Sequence, residues 1–248
     1  MFRAVPGSLP DEGSPVLAGI ALPVGVRVVA AEGDAPTPVA WVSEGLLPPD
    51  ELTGLVQRLA AVFPETGLWP LHATGLDDGD LSRPWRDGEL GGPDPRVLDP
   101  RDVLGGDADG TAEGPHRFVG FAQAVPGPDL TADQLEIGAP GGLLLVPVDR
   151  PANTLKALGW LGATNADLVG EALSCVLRSW EDRLGATLVS VGFDTLVVQA
   201  PRVPAGDQLT RLLGEHYAFC PDNIDQGLQP DDYLAGLAMW THWSFWWD

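Results

Sequence analysis

The chain has 248 residues, 44% of them apolar, and a formal net charge of −21. That length is large for one domain and comfortable for two, and the apolar content is that of a globular protein with a sizeable core. The acidity disfavours nucleic acid and anionic membranes as partners, because affinity for those comes from clustered Lys and Arg. It leaves a solvated acidic surface, a nucleic-acid mimic, or a surface for a basic protein as readings.

No apolar run reaches the roughly 18–20 residues of a membrane-spanning helix, so no membrane association is expected. The opening MFRAVPGSLPDEG lacks the apolar core of a secretory signal, which points to a cytoplasmic protein. Cys175 and Cys220 are the two cysteines, with no CxxC pair, so buried free thiols are expected rather than a zinc or redox site.

In chain order, residues 24–31 and 39–42 are β-branched and read as strands. The Leu46-Leu47-Pro48-Pro49-Asp50 phrase opens a helix, with proline tolerated in its first turn. Leu52, Leu55, Val56, Leu59 and Val62 give that helix one apolar face, and Pro64 and Gly67 stop it. Residues 67–74, GLWPLHAT, read as a strand, and Pro70 places it at a sheet edge. Residues 75–116 are rich in Asp, Gly and Pro, too long for an ordinary loop, and are either mobile or pinned by Trp85.

Residues 117–124 read as a further strand, and 142–148, GLLLVPV, as a buried one. Thr164-Asn165-Ala166-Asp167 supplies an N-cap for a helix running to Leu184, where Gly185 ends it. Two strands at 187–191 and 195–200 follow, joined by the hairpin Gly192-Phe193-Asp194. A helix over 206–219 carries the stripe Leu209, Leu212, Leu213 and His216, and Pro221 ends it. Pro230 opens a short helix, and residues 243–247 close the chain as a strand.

These elements predict an α+β protein in three parts. They are an N-terminal α/β region over 1–92, a Gly/Asp/Pro-rich linker over 93–116, and a C-terminal domain over 117–248. From Gly142 onward the order β-α-β-β-α-(α)-β is that of the ferredoxin-like, split βαβ sandwich: four antiparallel strands with both long helices on one face. In the last strand Trp243, Phe245 and Trp247 alternate with Ser244 and Trp246, so aromatic side chains point to both faces and each face needs a cover.

The strings LLLVPVDRP (143–151), LGWLGATN (158–165), VLRSWEDRLGATLVSVGFDTL (176–196), EHYAFCPDN (215–223) and SFWWD (244–248) resemble the bacterial family called domain of unknown function 4253. The resemblance covers about the last 110 residues. TGLWPL and RPWRDGEL resemble segments that accompany it. Ile224-Asp225-Gln226-Gly227 departs from it where an aromatic residue is expected after CPDN. The resemblance implies a fold and a family without an established activity, and supplies no catalytic residues.

The candidate residues gather in the last thirty-odd positions. His216 and Cys220, four apart at a helix end with Asp222 beside them, have the makings of a base and a thiol nucleophile. Against this, a helix C-terminus disfavours a thiolate. The same residues also serve as a helix closure, with Asp222 and Asn223 bonding turn amides. Trp243, Trp246 and Trp247 form either a stacking or partner surface with Asn223, or plain core. His216 and Cys220 are too few for a metal, and no GxGxxG, P-loop, GxSxG or HExxH string occurs, so neither metal nor cofactor is expected. The expectation is a non-catalytic protein-interaction or regulatory module, immunity-like in character, whose partner is a protein. The alternative is an enzyme with a small-molecule cleft near Cys220 and His216.

Overall fold

The computed structural model describes residues 1–30, 37–76, 80–105 and 117–248. A small hairpin of β1 (Val16–Leu17) and β2 (Ile20–Ala21) precedes β3 (Gly25–Val29) and β4 (Pro38–Ser43), which pair antiparallel. Helix α1 (Pro49–Ala61) has proline in its first turn with Asp50 and Glu51, whose charges suit the positive end of the helix dipole. It buries the expected stripe Leu52, Leu55, Val56 and Leu59. Then come α2 (Phe63–Thr66), β5 (Leu68–Ala73), α3 (Pro100–Gly105) and β6 (Gly142–Pro147). The C-terminal part continues with α4 (Thr154–Leu158), α5 (Glu171–Leu184), β7 (Thr187–Val191), β8 (Thr195–Gln199) and α6 (Asp207–Phe219). A π-helical turn (Asn223–Gly227), α7 (Pro230–Leu237) and β9 (His242–Trp246) close the chain.

One seven-stranded mixed sheet, in the order β3-β4-β6-β5-β7-β8-β9, draws strands from both sides of residues 93–116. This α+β architecture corrects the expected split βαβ topology. In a ferredoxin-like sheet β6 would lie between β9 and β8. Here β5 separates β6 from β7, pairing antiparallel with the first and parallel with the second. β6 and β7 therefore run in opposite directions and do not form a crossover unit.

Pro70 does not put β5 at an edge, as the sequence suggests; β5 is the central strand. The reason is local. Pairing of β5 with β7 begins only at His72↔Ser190, beyond the missing proline N–H, and Trp69 Nε1 donates to the Leu188 carbonyl at 3.0 Å in place of a backbone donor.

Two further expectations change. Residues 117–124 form no strand. Ala122 N–H donates to Glu215 Oε1 at 2.7 Å and Val125 N–H to the Arg183 carbonyl at 3.0 Å, so side chains and loop contacts, not a ladder, satisfy this extended segment. Helix α5 starts at Glu171, not after Thr164-Asn165-Ala166-Asp167, which makes a 3-10 turn ending with Asp167 at φ 56°. The carboxylate of Asp94 caps the true start, accepting from Glu171 N–H at 3.0 Å.

Helices α5 and α6 cover one sheet face. Trp180 of α5 stacks on Phe245 of β9 with centroids 5.4 Å apart, and meets His216 and Phe219 of α6 and Trp243. Trp243, Phe245 and Trp247 are all buried there. Each such aromatic side chain removes 150–250 Å² from water, roughly 4–6 kcal/mol as an upper estimate. That exceeds the roughly 1–3 kcal/mol for leaving the Trp243 indole N–H without a hydrogen-bond acceptor. The final strand is thus core on this face.

Buried carboxylates tie the middle of the chain to α5 and α6. Glu215 accepts from Trp180 Nε1, Ala122 N–H and the Arg183 guanidinium. Glu171 accepts from Leu98 N–H at 3.1 Å and pairs with Arg178 and Lys156. Burial alone would raise the Glu171 carboxyl, but the bonds from Arg178, Leu98 N–H and Lys156 together outweigh it and hold it below the usual range. Glu181 pairs with Arg150 and with Arg3 near the N-terminus. Trp85 is buried and donates to the Thr74 carbonyl at 2.8 Å, so the described residues around it are pinned rather than loose. Residues 106–116 of the expected linker lie outside the described residues.

Candidate functional site

The other sheet face is half covered. Helix α1 packs over β5 and β6, and the segment 131–139 lies beside it, held by hydrogen bonds from Gln57 Nε2 to the Asp133 and Leu135 carbonyls. Among the described residues no helix covers β7, β8 and β9 on this side. Strand register lines His72, Ser190, Val197 and Ser244 in one row across β5, β7, β8 and β9. The row floors a groove of ≈ 730 Å³, walled by Thr53 of α1 and by Glu136 and Ile137. A second groove of ≈ 370 Å³, lined by Asp222, Asn223, Tyr233, Trp240 and Trp246, shares His242 and Ser244 with the first.

His72 and Ser190 sit in the one parallel strand pair, where the N-terminal and C-terminal parts of the chain meet. His72 Nδ1 lies 2.9 Å from Ser190 Oγ, and Nε2 lies 3.2 Å from the Pro140 carbonyl. A carbonyl can only accept, so Nε2 carries the proton and Nδ1 accepts from the serine hydroxyl. Burial lowers the His72 pKa against a smaller raising effect of the Pro140 bond, which favours the neutral ring. Gly141 is needed for this placement: a Cβ there would come 2.1 Å from His72 Nε2 and 2.7 Å from the Ala73 carbonyl oxygen.

The residues singled out by sequence behave differently. His216 is 1% exposed, enclosed by Trp180, Trp243, Phe245 and Tyr233. Its Nδ1 is 3.1 Å from the Tyr233 hydroxyl, Nε2 has no hydrogen-bond partner, and burial pushes its pKa down to about 3. Cys220 is fully buried, its thiol donates to the Trp246 carbonyl at 2.9 Å, and burial pushes its pKa up to about 12. A neutral thiol and a neutral imidazole, both enclosed, do not make a thiolate–imidazolium pair.

Asp222 Oδ2 accepts from Asp248 N–H at 3.1 Å, tying down the C-terminus. Asn223 bridges the outer edge of β9: Nδ2 donates to the Ser244 carbonyl at 2.7 Å and Oδ1 accepts from Trp246 N–H at 3.3 Å. Trp243 and Trp247 are core, while Trp246 is 37% exposed at the second groove. Of the candidates, then, Asp222, Asn223 and Trp246 line the second groove, and Trp247 lines a separate cavity of ≈ 450 Å³ beside Trp160 and Phe193.

The elements bordering the grooves are acidic. Residues 49–61, 131–139, 222–227 and 230–237 carry Asp50, Glu51, Asp133, Glu136, Asp222, Asp225, Asp231 and Asp232 against the single cation Arg58. Among the described residues no group of three His, Cys, Asp or Glu side chains is placed to hold a metal ion. Among them, too, no helix is long and apolar enough to cross a membrane.

His72 and Ser190 form no pattern in the sequence because 118 residues separate them. The available signal was a lone polar residue in the apolar strand LWPLHA and a serine inside the buried strand TLVSV.

The chain finds no significant match among curated proteins or solved structures. Residues 142–248, from β6 to β9, match the family model described as domain of unknown function (DUF4253).

Proposed function

We propose that the protein acts by protein–protein contact in the cytoplasm, as a regulatory module that seats a basic segment of its partner in the groove over β7, β8 and β9. The carrying observation is an open half-face lined by Val189, Val197, Ile137 and Glu136, next to elements that together carry eight carboxylates and one cation. Such a surface complements a segment that alternates cations with apolar side chains, and its field speeds the encounter. Asn223 occupies the free edge of β9 at Ser244 and Trp246, which directs a partner to the face and away from strand addition. Two free cysteines, both buried, suit a reducing compartment.

The test is fluorescence polarisation with a labelled ten-residue peptide alternating Arg and Leu, beside a matched Glu/Leu peptide. The basic peptide should bind, weaken with salt, and lose at least about tenfold affinity in Val197→Arg, with near-UV circular dichroism confirming the fold. Equal binding of both peptides, or binding indifferent to Val197→Arg, would sink the reading.

A further inference from the structure

We infer that Ser190 and His72 form a nucleophile–base pair that cleaves uncharged or cationic carboxylic esters seated in the larger groove. The inference does not rest on the protein-partner reading. It stands on three features of the geometry.

The first is the pair itself. The 2.9 Å contact joins the hydroxyl to Nδ1, and the Pro140 carbonyl, 3.2 Å from Nε2, fixes the tautomer in which Nδ1 is free to take a proton. A nucleophile, a base in hydrogen-bond reach and a third group orienting the base make the arrangement that nucleophilic catalysis requires. The second is location, since His72 and Ser190, only 5% and 7% exposed, border a cavity. Both side chains line the ≈ 730 Å³ groove, the size range of small-molecule sites, at the C-terminal ends of two parallel strands. The third is the polar surround. The hydroxyls of Thr74 and Thr195 line the same groove and converge where Gly192 has no side chain: a Cβ there would lie 2.4 Å and 2.2 Å from them. They are the groups available to donate to a developing oxyanion. Glu136 and the acidic border exclude anionic substrates.

In the reaction, Ser190 Oγ bonds to the ester carbonyl carbon while its proton passes to His72 Nδ1. Collapse of the tetrahedral intermediate breaks the bond to the leaving oxygen, which takes that proton and departs as the alcohol. Water then adds to the acyl-serine with His72 again accepting a proton, and the acid is released with Ser190 restored.

The test uses the full chain with a biotinylated fluorophosphonate and with p-nitrophenyl acetate. Mass spectrometry should find one phosphonate adduct, on Ser190. Ester hydrolysis should vanish in Ser190→Ala and fall about 100-fold or more in His72→Gln. If Ser190→Ala does not fold, Ser190→Cys keeps the size and should exchange fluorophosphonate labelling for iodoacetamide labelling at position 190. The idea is overturned by a folded chain with no adduct at Ser190, by hydrolysis that survives Ser190→Ala, or by an inert thiol at position 190. The probes are small and need no partner, so this outcome is separate from that of the peptide titration.

Discussion

Removing the Glu215 carboxylate tests whether buried acids hold the middle of the chain in place. In Glu215→Ala, Ala122 N–H and Trp180 Nε1–H, now bonded at 2.7 and 2.8 Å, lose their acceptor in a buried setting. Each orphaned donor costs about 1–3 kcal/mol. Arg183, only 16% exposed, loses its counter-ion, although its stacking over the Phe121 ring at 4.6 Å survives. Breaking one side of a buried pair typically costs about 3–5 kcal/mol in all, because the terms overlap. Against a typical total of about 5–15 kcal/mol this is a large fraction. With a urea slope of about 1–3 kcal/mol/M, the unfolding midpoint followed by tryptophan fluorescence should drop by at least about 1 M. Limited proteolysis should find new cuts at residues 117–125. A loss under about 1 kcal/mol with an unchanged cleavage pattern would refute the docking role.

Other consequences follow from the buried groups. Cys220, with its pKa near 12, is about 10⁻⁴ thiolate at pH 8, so iodoacetamide should react over about 10³-fold more slowly than with an ordinary thiol of pKa about 8.5; rapid alkylation of its peptide in the folded chain would contradict the burial argument. His216 is held near pKa 3 in the folded chain against the ordinary histidine value of 6.5, so between those values the unfolded chain binds more protons and stability falls as pH falls. Urea unfolding should show about 2 kcal/mol less stability at pH 5 than at pH 7, with His72 adding in the same direction, and a flat profile would count against the enclosed imidazole. Asn223→Ala strips the edge of β9 of its bonds at Ser244 and Trp246 and should cost about 1–2 kcal/mol and promote self-association on light scattering; an unchanged melting temperature and mass would show that the edge needs no guard.

Local patterns in the sequence carried much of the fold. The stripe Leu52, Leu55, Val56 and Leu59 gave α1, the stripe through Leu212, Leu213 and His216 gave α6, and Gly192 gave the β7–β8 hairpin. Alternation in the last strand correctly divided Trp243 and Phe245 from Trp246, though not which face would be covered. Sheet order was beyond reach, since nothing local says that β5 inserts between β6 and β7. Pro70 argued for an edge, and a Trp69 indole bonding the next strand is a tertiary substitute that no propensity reveals. The tail drew attention as a site because rare residues cluster there. His216 proved to be enclosed among aromatic side chains and Cys220 to be fully buried, while the polar pair that lines the larger groove, His72 with Ser190, arises from strand pairing over a long separation.

The central claim is that the open half-face over β7, β8 and β9 is where the protein meets its partner. The most direct measurement is amide chemical-shift mapping of the ¹⁵N-labelled full chain during titration with the Arg/Leu peptide. The account predicts shifts concentrated at Thr53, Ile137, Val197 and Ser244, weakening as salt is raised. Shifts centred elsewhere, such as the cavity beside Trp160 and Phe193 at the β7–β8 hairpin, or none at millimolar peptide, would contradict it.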